Sequence, residues 1–269
     1  MTVRVAVNGA GGRMGRAIIA ALGEDPAAVL VAALDAQGSD ALGSDAGVLV
    51  GGAAVGVVVT AGLEEALPIC DVLVDFSTPR ATRAALEACA RHSCAAVVGT
   101  TGLGDEEERA AAELARIAPL VLAPNMSIGV TLLFDLAARA AALAGPDFDA
   151  EIVEMHHRRK ADAPSGTAVR LARVVADAKG LDPGDAVIHG RSGQIGPRPN
   201  AQIGVMTLRG GDVVGEHTLV LAGPGERLEL THRAHSRAIF ARGAVRAACW
   251  VVGQPAGRYD MADVIGVGG

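Results

Sequence analysis

The chain has 269 residues, half of them hydrophobic, which is long for one domain and comfortable for two. Its formal net charge of −6 argues against nucleic acid or an anionic membrane as the main partner. No stretch reaches the roughly 18 uninterrupted apolar residues of a membrane span, and the N-terminus lacks the charged and apolar regions of a signal peptide.

The first half alternates two kinds of segment. Residues 3–7 form a short apolar run with strand character, and 16–22 read as helix. Residues 29–34, 72–76, 95–98 and 120–123 repeat the strand pattern, with helices predicted over 81–91 and 105–117. Short buried strands alternating with helices predict a parallel sheet covered on both faces. The second half differs. Residues 150–156 are a strand candidate in which Ile152, Glu154 and His156 share one face. After a helix, a Gly/Pro-rich loop is expected over 181–202. Strand-like runs 203–208, 213–222 and 227–232 follow, separated by Gly210-Gly211-Asp212 and Gly223-Pro224-Gly225, which read as turns between antiparallel strands. A final helix is predicted over 238–252. The apolar residues Val205, Val213, Val214, Leu219 and Leu221 exceed what packing against one helix layer requires and predict an association surface.

The glycine-rich segment Gly9-Ala10-Gly11-Gly12-Arg13-Met14-Gly15 directly follows the first strand and opens the first helix. Glycines at such a turn let the backbone approach a pyrophosphate, and the helix start offers free N–H groups to it. The spacing departs from Gly-x-Gly-x-x-Gly, because the sixth position is Met14 and the last glycine falls at Gly15. Asp35 ends the second strand, where a carboxylate accepts hydrogen bonds from the ribose hydroxyls of a dinucleotide. It would also repel a 2′-phosphate, and the following Ala36 offers no compensating charge. NADH is therefore expected to serve at least as well as NADPH, although Arg13 or Arg16 has the reach for a 2′-phosphate. Gly99, Thr100 and Thr101 end one later strand, and Ala123, Pro124, Asn125 and Met126 end another. The carboxyl ends of parallel strands are where ligands sit in open α/β folds.

The run His156-His157-Arg158-Arg159-Lys160 leaves a strand and leads through Asp162-Ala163-Pro164 to Ser165-Gly166-Thr167 at a helix start. Basic side chains beside hydroxyls and helix N-terminal N–H groups make a carboxylate site. Adjacent strand residues face opposite sides, so one of the two histidines is expected to line a given pocket. No third ligand has metal-binding spacing, and no metal is expected. Cys70, Cys89, Cys94 and Cys249 form no Cys-x-x-Cys pair or zinc pattern, so buried thiols in a soluble, cytoplasmic protein are expected.

Together the glycine loop, the Gly99-Thr100-Thr101-Gly102 turn, the stretch from His156 to Ala168 and the segment from Gly211 to Arg237 resemble the dihydrodipicolinate reductase family over nearly the whole chain. The resemblance implies an α/β protein with an N-terminal Rossmann dinucleotide-binding domain, 1–127 rejoined by 237–269. It implies a substrate-binding and tetramerisation domain, 128–236, of α+β type with an open mixed sheet. It further implies NADH or NADPH as cofactor, a homotetramer, and reduction of 4-hydroxy-tetrahydrodipicolinate, a small dicarboxylate, to tetrahydrodipicolinate with loss of water. In that scheme residues Gly9 through Met14 hold the pyrophosphate and Asp35 the ribose. Gly99, Thr100, Thr101 and Ala123 through Met126 line the nicotinamide side. His156 and Lys160 transfer protons, and His157, Gly166 and Thr167 bind substrate carboxylate. The chain departs from the family at Ala36, where a basic residue is frequent, and at Ser77-Thr78-Pro79, where an Arg often precedes the Pro. Two rival readings are another Rossmann amino-acid or polyol dehydrogenase and a non-catalytic dinucleotide sensor. Neither accounts for the run from Lys160 to Thr167.

Overall fold

The computed structural model describes residues 2–267. Residues 1, 268 and 269 of the expected dinucleotide-binding domain lie outside them. The chain divides into two compact units: one runs up to Ile128 and resumes at Arg237, and the other is Gly129–Ser236.

The first unit opens with β1 (Val3–Asn8), α1 (Arg13–Glu24) and β2 (Ala28–Leu34). Short elements α2 (Ala46–Leu49), β3 (Val59–Thr60) and α3 (Leu63–Ala66) follow, then β4 (Val72–Asp75), α4 (Pro79–His92), β5 (Ala95–Val98), α5 (Asp105–Ala115) and β6 (Pro119–Leu122). The chain then passes through α6 (Ile128–Ala144) into the second unit, which contains β7 (Asp149–His156), α7 (Gly166–Lys179), α8 (Pro183–Ala186), β8 (Val187–His189), β9 (Ile203–Arg209), β10 (Gly215–Gly223) and β11 (Glu226–Ala234). It returns to the first unit with α9 (Ala238–Val251), β12 (Gly257–Tyr259) and α10 (Met261–Ile265).

The first sheet has the order β12-β6-β5-β4-β1-β2-β3, and every pairing in it is parallel. Successive residues of β1, β2, β4, β5 and β6 feed two different cores, which is why these strands read as continuous apolar runs. Val5, Val7, Val72, Val74 and Val97 pack with Ile18 of α1 and with Ala244, Val245 and Ala248 of α9. Ala6, Leu73, Ala96 and Leu120 pack with Leu86 of α4 and Leu114 of α5. Helix α5 starts with Asp105, Glu106, Glu107 and Glu108 in its first turn, charges that suit the positive end of the helix dipole.

The second sheet is mixed, with the order β11-β10-β7-β9-β8. Strand β7 pairs antiparallel with β10 and parallel with β9. This corrects the sequence reading at Gly210-Gly211-Asp212. The segment joins two strands that are not neighbours, because β7 lies between them. Only β10 and β11 form the expected hairpin, closed by Pro224-Gly225. The stretch expected as loop over 181–202 also contains α8 and β8. One face of the sheet packs Ala150, Ile152, Val205, Leu219 and Leu221 against Leu133 and Ala137 of α6 and Leu171 and Val175 of α7. Val205, Leu219 and Leu221 therefore belong to the covered face and do not contribute to an association surface, and Val213 and Val214 precede β10. The opposite face carries Val153, Met155, Met206, Leu208 and Val220, all partly or fully accessible. Among the described residues no helix is long and apolar enough to cross a membrane, and no group of three or more His, Cys, Asp or Glu is placed to hold a metal ion. The four cysteines are free, and all but Cys249 are buried.

Candidate active site

Two clusters, one on each unit, carry the candidate chemistry. On the first unit the glycine loop leaves β1 and turns into α1. Gly9 has φ +80°, and a Cβ on Gly15 would lie 2.1 Å from the Gly9 carbonyl oxygen, so the helix start can approach the strand end this closely only with glycine at both places. The Gly11 N–H donates to Asp35 Oδ2 at 2.7 Å, and Oδ1 accepts the Ala36 N–H at 2.8 Å. Asp35 thus braces the loop as well as standing at the end of β2. Arg16 is committed to the same scaffold: its guanidinium donates to the Gly11 and Leu49 carbonyls at 3.0 and 3.2 Å. Arg13 is exposed at the loop.

A cavity of about 470 Å³ opens beside this loop at the carboxyl ends of the strands. It gathers Arg13, Met14, Gly99, Thr100, Thr101, Pro124, Asn125 and Met126 from the sequence reading and adds Phe76, Ser77 and Phe240. Ala123 is buried behind the rim. The close-approach glycines and a cavity on this rim fit a dinucleotide.

The rim is held by a buried carboxyl group that sequence inspection overlooks. Asp75, at the end of β4, accepts from Asn8 Nδ2 at 2.6 Å, Ser77 Oγ at 2.7 Å, Thr100 Oγ1 at 3.0 Å and the Thr82 hydroxyl. Thr100 Oγ1 in turn accepts the Ser77 N–H at 3.0 Å. One side chain therefore ties together the ends of β1, β4 and β5 and helix α4. Thr78, whose neighbourhood departs from the family, is the N-cap of α4, with Oγ1 accepting the Ala81 N–H at 3.4 Å.

On the second unit the organising group is Glu154. It faces the covered side of β7 and is completely buried. Arg209, the last residue of β9, grips it with two parallel hydrogen bonds of 2.9 and 3.0 Å. His156 Nδ1 lies 2.5 Å from Oε2, and the Ser165 N–H donates to Oε1 at 3.0 Å. Burial alone would raise the pKa of Glu154, but these partners outweigh it and hold the carboxyl below its ordinary value. Burial likewise is the largest influence on His156, and it lowers the imidazole below the usual histidine value despite the adjacent carboxylate.

Ser165 caps α7, with Oγ accepting the Ala168 N–H at 3.2 Å and pairing with His217 Nε2 at 3.0 Å. Its hydroxyl is therefore turned inward. His217 is buried, which pushes its pKa down to about 4, and its ring meets that of His156 edge to face at 5.1 Å. His157 Nδ1 is buried without a hydrogen-bond partner. Lys160 follows in a tight turn and places Nζ 2.7 Å from both oxygens of Asp162. The Asp162 carbonyl accepts from Arg209 at 2.6 Å, so the lysine loop is fastened to the same arginine that holds Glu154. Gly166 and Thr167 form the first turn of α7. Sequence reasoning placed His156, His157, Lys160, Ser165, Gly166 and Thr167 in this region but missed Glu154, Arg209 and His217. The overlooked signal was a glutamate on the apolar face shared by Ile152 and His156.

Comparison with known proteins covers both units. The family model described as the N-terminus of dihydrodipicolinate reductase matches residues 3–126, and that described as its C-terminus matches 129–265. The 4-hydroxy-tetrahydrodipicolinate reductase of Alkalilimnicola ehrlichii is 52% identical over 267 residues, 99% of this chain and 100% of that protein. That of Anaeromyxobacter dehalogenans is 50% identical over 266 residues, 99% and 98% of the two chains. Among solved structures, dipicolinate-bound dihydrodipicolinate reductase from Paenisporosarcina sp. TG-14 superposes with a TM-score of 0.79 at 28% identity, covering 98% of this chain and 100% of that one.

Proposed function

The chain belongs to the dihydrodipicolinate reductase family, and on that premise we propose how its residues accomplish the NAD(P)H-dependent reduction of 4-hydroxy-tetrahydrodipicolinate in diaminopimelate and lysine biosynthesis. The product is tetrahydrodipicolinate, and the 4-hydroxyl leaves as water. When bound, the reduced nicotinamide supplies a hydride to C4 of the substrate ring. Gly9, Ala10, Gly11, Gly12, Arg13 and Met14 hold the pyrophosphate on loop N–H groups and the start of α1. Asp35 takes the ribose hydroxyls on lone pairs that remain after its bonds to Gly11 and Ala36. Gly99, Thr100 and Thr101, with Ala123 through Met126, form the nicotinamide side of the cavity.

The second unit binds the dicarboxylate. Gly166 and Thr167 offer the N–H groups of the first turn of α7, and Ser165 keeps that turn in place from inside. His157, on the loop that leaves β7, adds an imidazole to the carboxylate site. Lys160 and His156 serve the proton that must reach the ring as electrons arrive with the hydride. The observation that carries this reading is the family match over both units, which brings with it the run from His156 to Thr167 beside the start of α7. An amino-acid or polyol dehydrogenase, or a dinucleotide sensor, fits neither this arrangement nor the family match over both units.

We also propose that the accessible apolar face of the second sheet, centred on Val153, Met206 and Val220, is where four copies assemble, and that the enzyme works in the cytoplasm. Toward β11 the face turns polar, with Thr218 bonded to Thr231 and Glu216 to Arg233.

The role assignment is tested by Lys160→Ala. With substrate generated in place by dihydrodipicolinate synthase, NADH oxidation should show kcat lowered at least about a hundredfold, as for loss of a positioned acid. NADH affinity should be unchanged. Near-normal kcat with collapsed NADH binding would overturn the assignment.

A further inference from the structure

We propose that Glu154 is a positioning residue for the reduction: it fixes His156 as the Nδ1–H tautomer, so that Nε2 is the atom available for proton exchange. The proposal rests on the reading of His156 as a proton-transfer group. Its geometric basis is independent of that reading.

Glu154 is a carboxylate whose four contacts are all with parts of the candidate site. Two come from Arg209, one from the Ser165 N–H at the start of α7, and one from His156. Arg209 and the backbone N–H can only donate, so both Glu154 oxygens are acceptors. The 2.5 Å contact then requires the proton to sit on His156 Nδ1. A carboxylate in this position orients an imidazole and favours one of its two neutral forms. The ring's other edge is left room by Gly215, where a Cβ would lie 3.0 Å from Nε2. His217, which packs edge to face against His156, is neutral near physiological pH and brings no competing charge.

The arrangement does more than set a tautomer. Arg209 also holds the Asp162 carbonyl, so the lysine loop, the histidine and the helix start share one buried anchor. Arg209 carries the position of Glu154 from β9, and Ser165 carries it to the N–H groups of Gly166 and Thr167. A carboxylate on the covered face of a sheet is costly unless it is fully paired. Hydrophobic packing alone would be served better by an aliphatic residue between Ile152 and His156.

The test reads the tautomer directly, without turnover. In protein labelled with 15N-histidine, His156 is assigned by comparison with His156→Gln. Above its pKa it should show a protonated Nδ1 and an unprotonated Nε2. In Glu154→Gln, which preserves size and removes the charge, the Nδ1–H form should lose its dominance. The kcat should fall at least about tenfold, as for loss of a group that sets an imidazole's tautomer. KM for the substrate should rise by less than kcat falls, since Glu154 also holds the Ser165 N–H at the start of α7. A wild-type His156 protonated on Nε2 overturns the proposal, whether or not the variant folds. So does a Glu154→Gln variant with an unchanged His156 spectrum. If instead His156→Gln turns over at the wild-type rate while the tautomer result stands, the catalytic reading of His156 fails and the positioning by Glu154 does not.

Discussion

Replacing Asp75 separates its role as a hub from that of a passive buried polar group. Asp75→Ala removes the common acceptor of four side-chain donors. Asn8 and Ser77 are partly accessible and can turn to water. Thr82 and Thr100 are 0% and 8% exposed, so their hydroxyls are left in the interior. At about 1–3 kcal/mol for each stranded buried group, the loss is about 2–6 kcal/mol. For a chain of this size, at about 2–4 °C per kcal/mol, that corresponds to a Tm lower by roughly 4–24 °C. Asp75→Asn keeps one acceptor oxygen for Asn8 and Ser77, while the threonine hydroxyls can accept from the new amide. It should cost about 1–2 kcal/mol, since the charge is lost and the two threonine protons must find other acceptors. Because Ser77 and Thr100 line the cavity beside the glycine loop, Asp75→Ala should also weaken NADH binding in the folded protein. Thermal unfolding by circular dichroism and NADH titration by fluorescence measure both effects. An alanine variant within about 1 kcal/mol of wild type, with unchanged NADH affinity, would refute the hub.

Cofactor choice and assembly give two further expectations. Asp35 follows β2 with Ala36 and no cation after it, and Arg16 is tied to carbonyls, so NADH should be used at least as well as NADPH; a preference for NADPH of about tenfold in kcat/KM, about 1.4 kcal/mol, would show this wrong. Light scattering at micromolar concentration should report a tetramer that Met206→Asp disrupts, and a monomeric wild type would rule out assembly through the open sheet face.

The parallel sheet of the first unit was legible because its inner strands are buried on both sides over unbroken apolar runs, as at Val5, Ala6 and Val7. Elements α2, β3, α8, β8 and β12 were not legible. A helix of four residues has barely one hydrogen-bonded turn, and a strand of two or three has no period to detect. The position of β7 between β9 and β10 was hidden for another reason: pairing between distant segments leaves no mark at the turn that joins β9 to β10. The face of the sheet that stays open was misjudged through Val205, Leu219 and Leu221, because alternation identifies two faces without saying which one the helices cover. In the candidate site, the glycine loop and the stretch from His156 to Thr167 stood out because their chemistry is continuous in sequence. Phe240 joins the cavity from a helix more than a hundred residues away from the other lining groups, and Arg209 reaches Glu154 across two paired strands. Such partners become visible only when the chain is folded.

Hydride transfer from the nicotinamide to C4 of the substrate ring is the step that defines this activity. NADH deuterated at the transferable position of C4, supplied with enzymatically generated 4-hydroxy-tetrahydrodipicolinate, tests it most directly. Mass spectrometry of the tetrahydrodipicolinate should find one deuterium per molecule, located at C4, with label transfer falling in step with NADH oxidation in Lys160→Ala. Oxidation of NADH that leaves the product unlabelled would contradict the account.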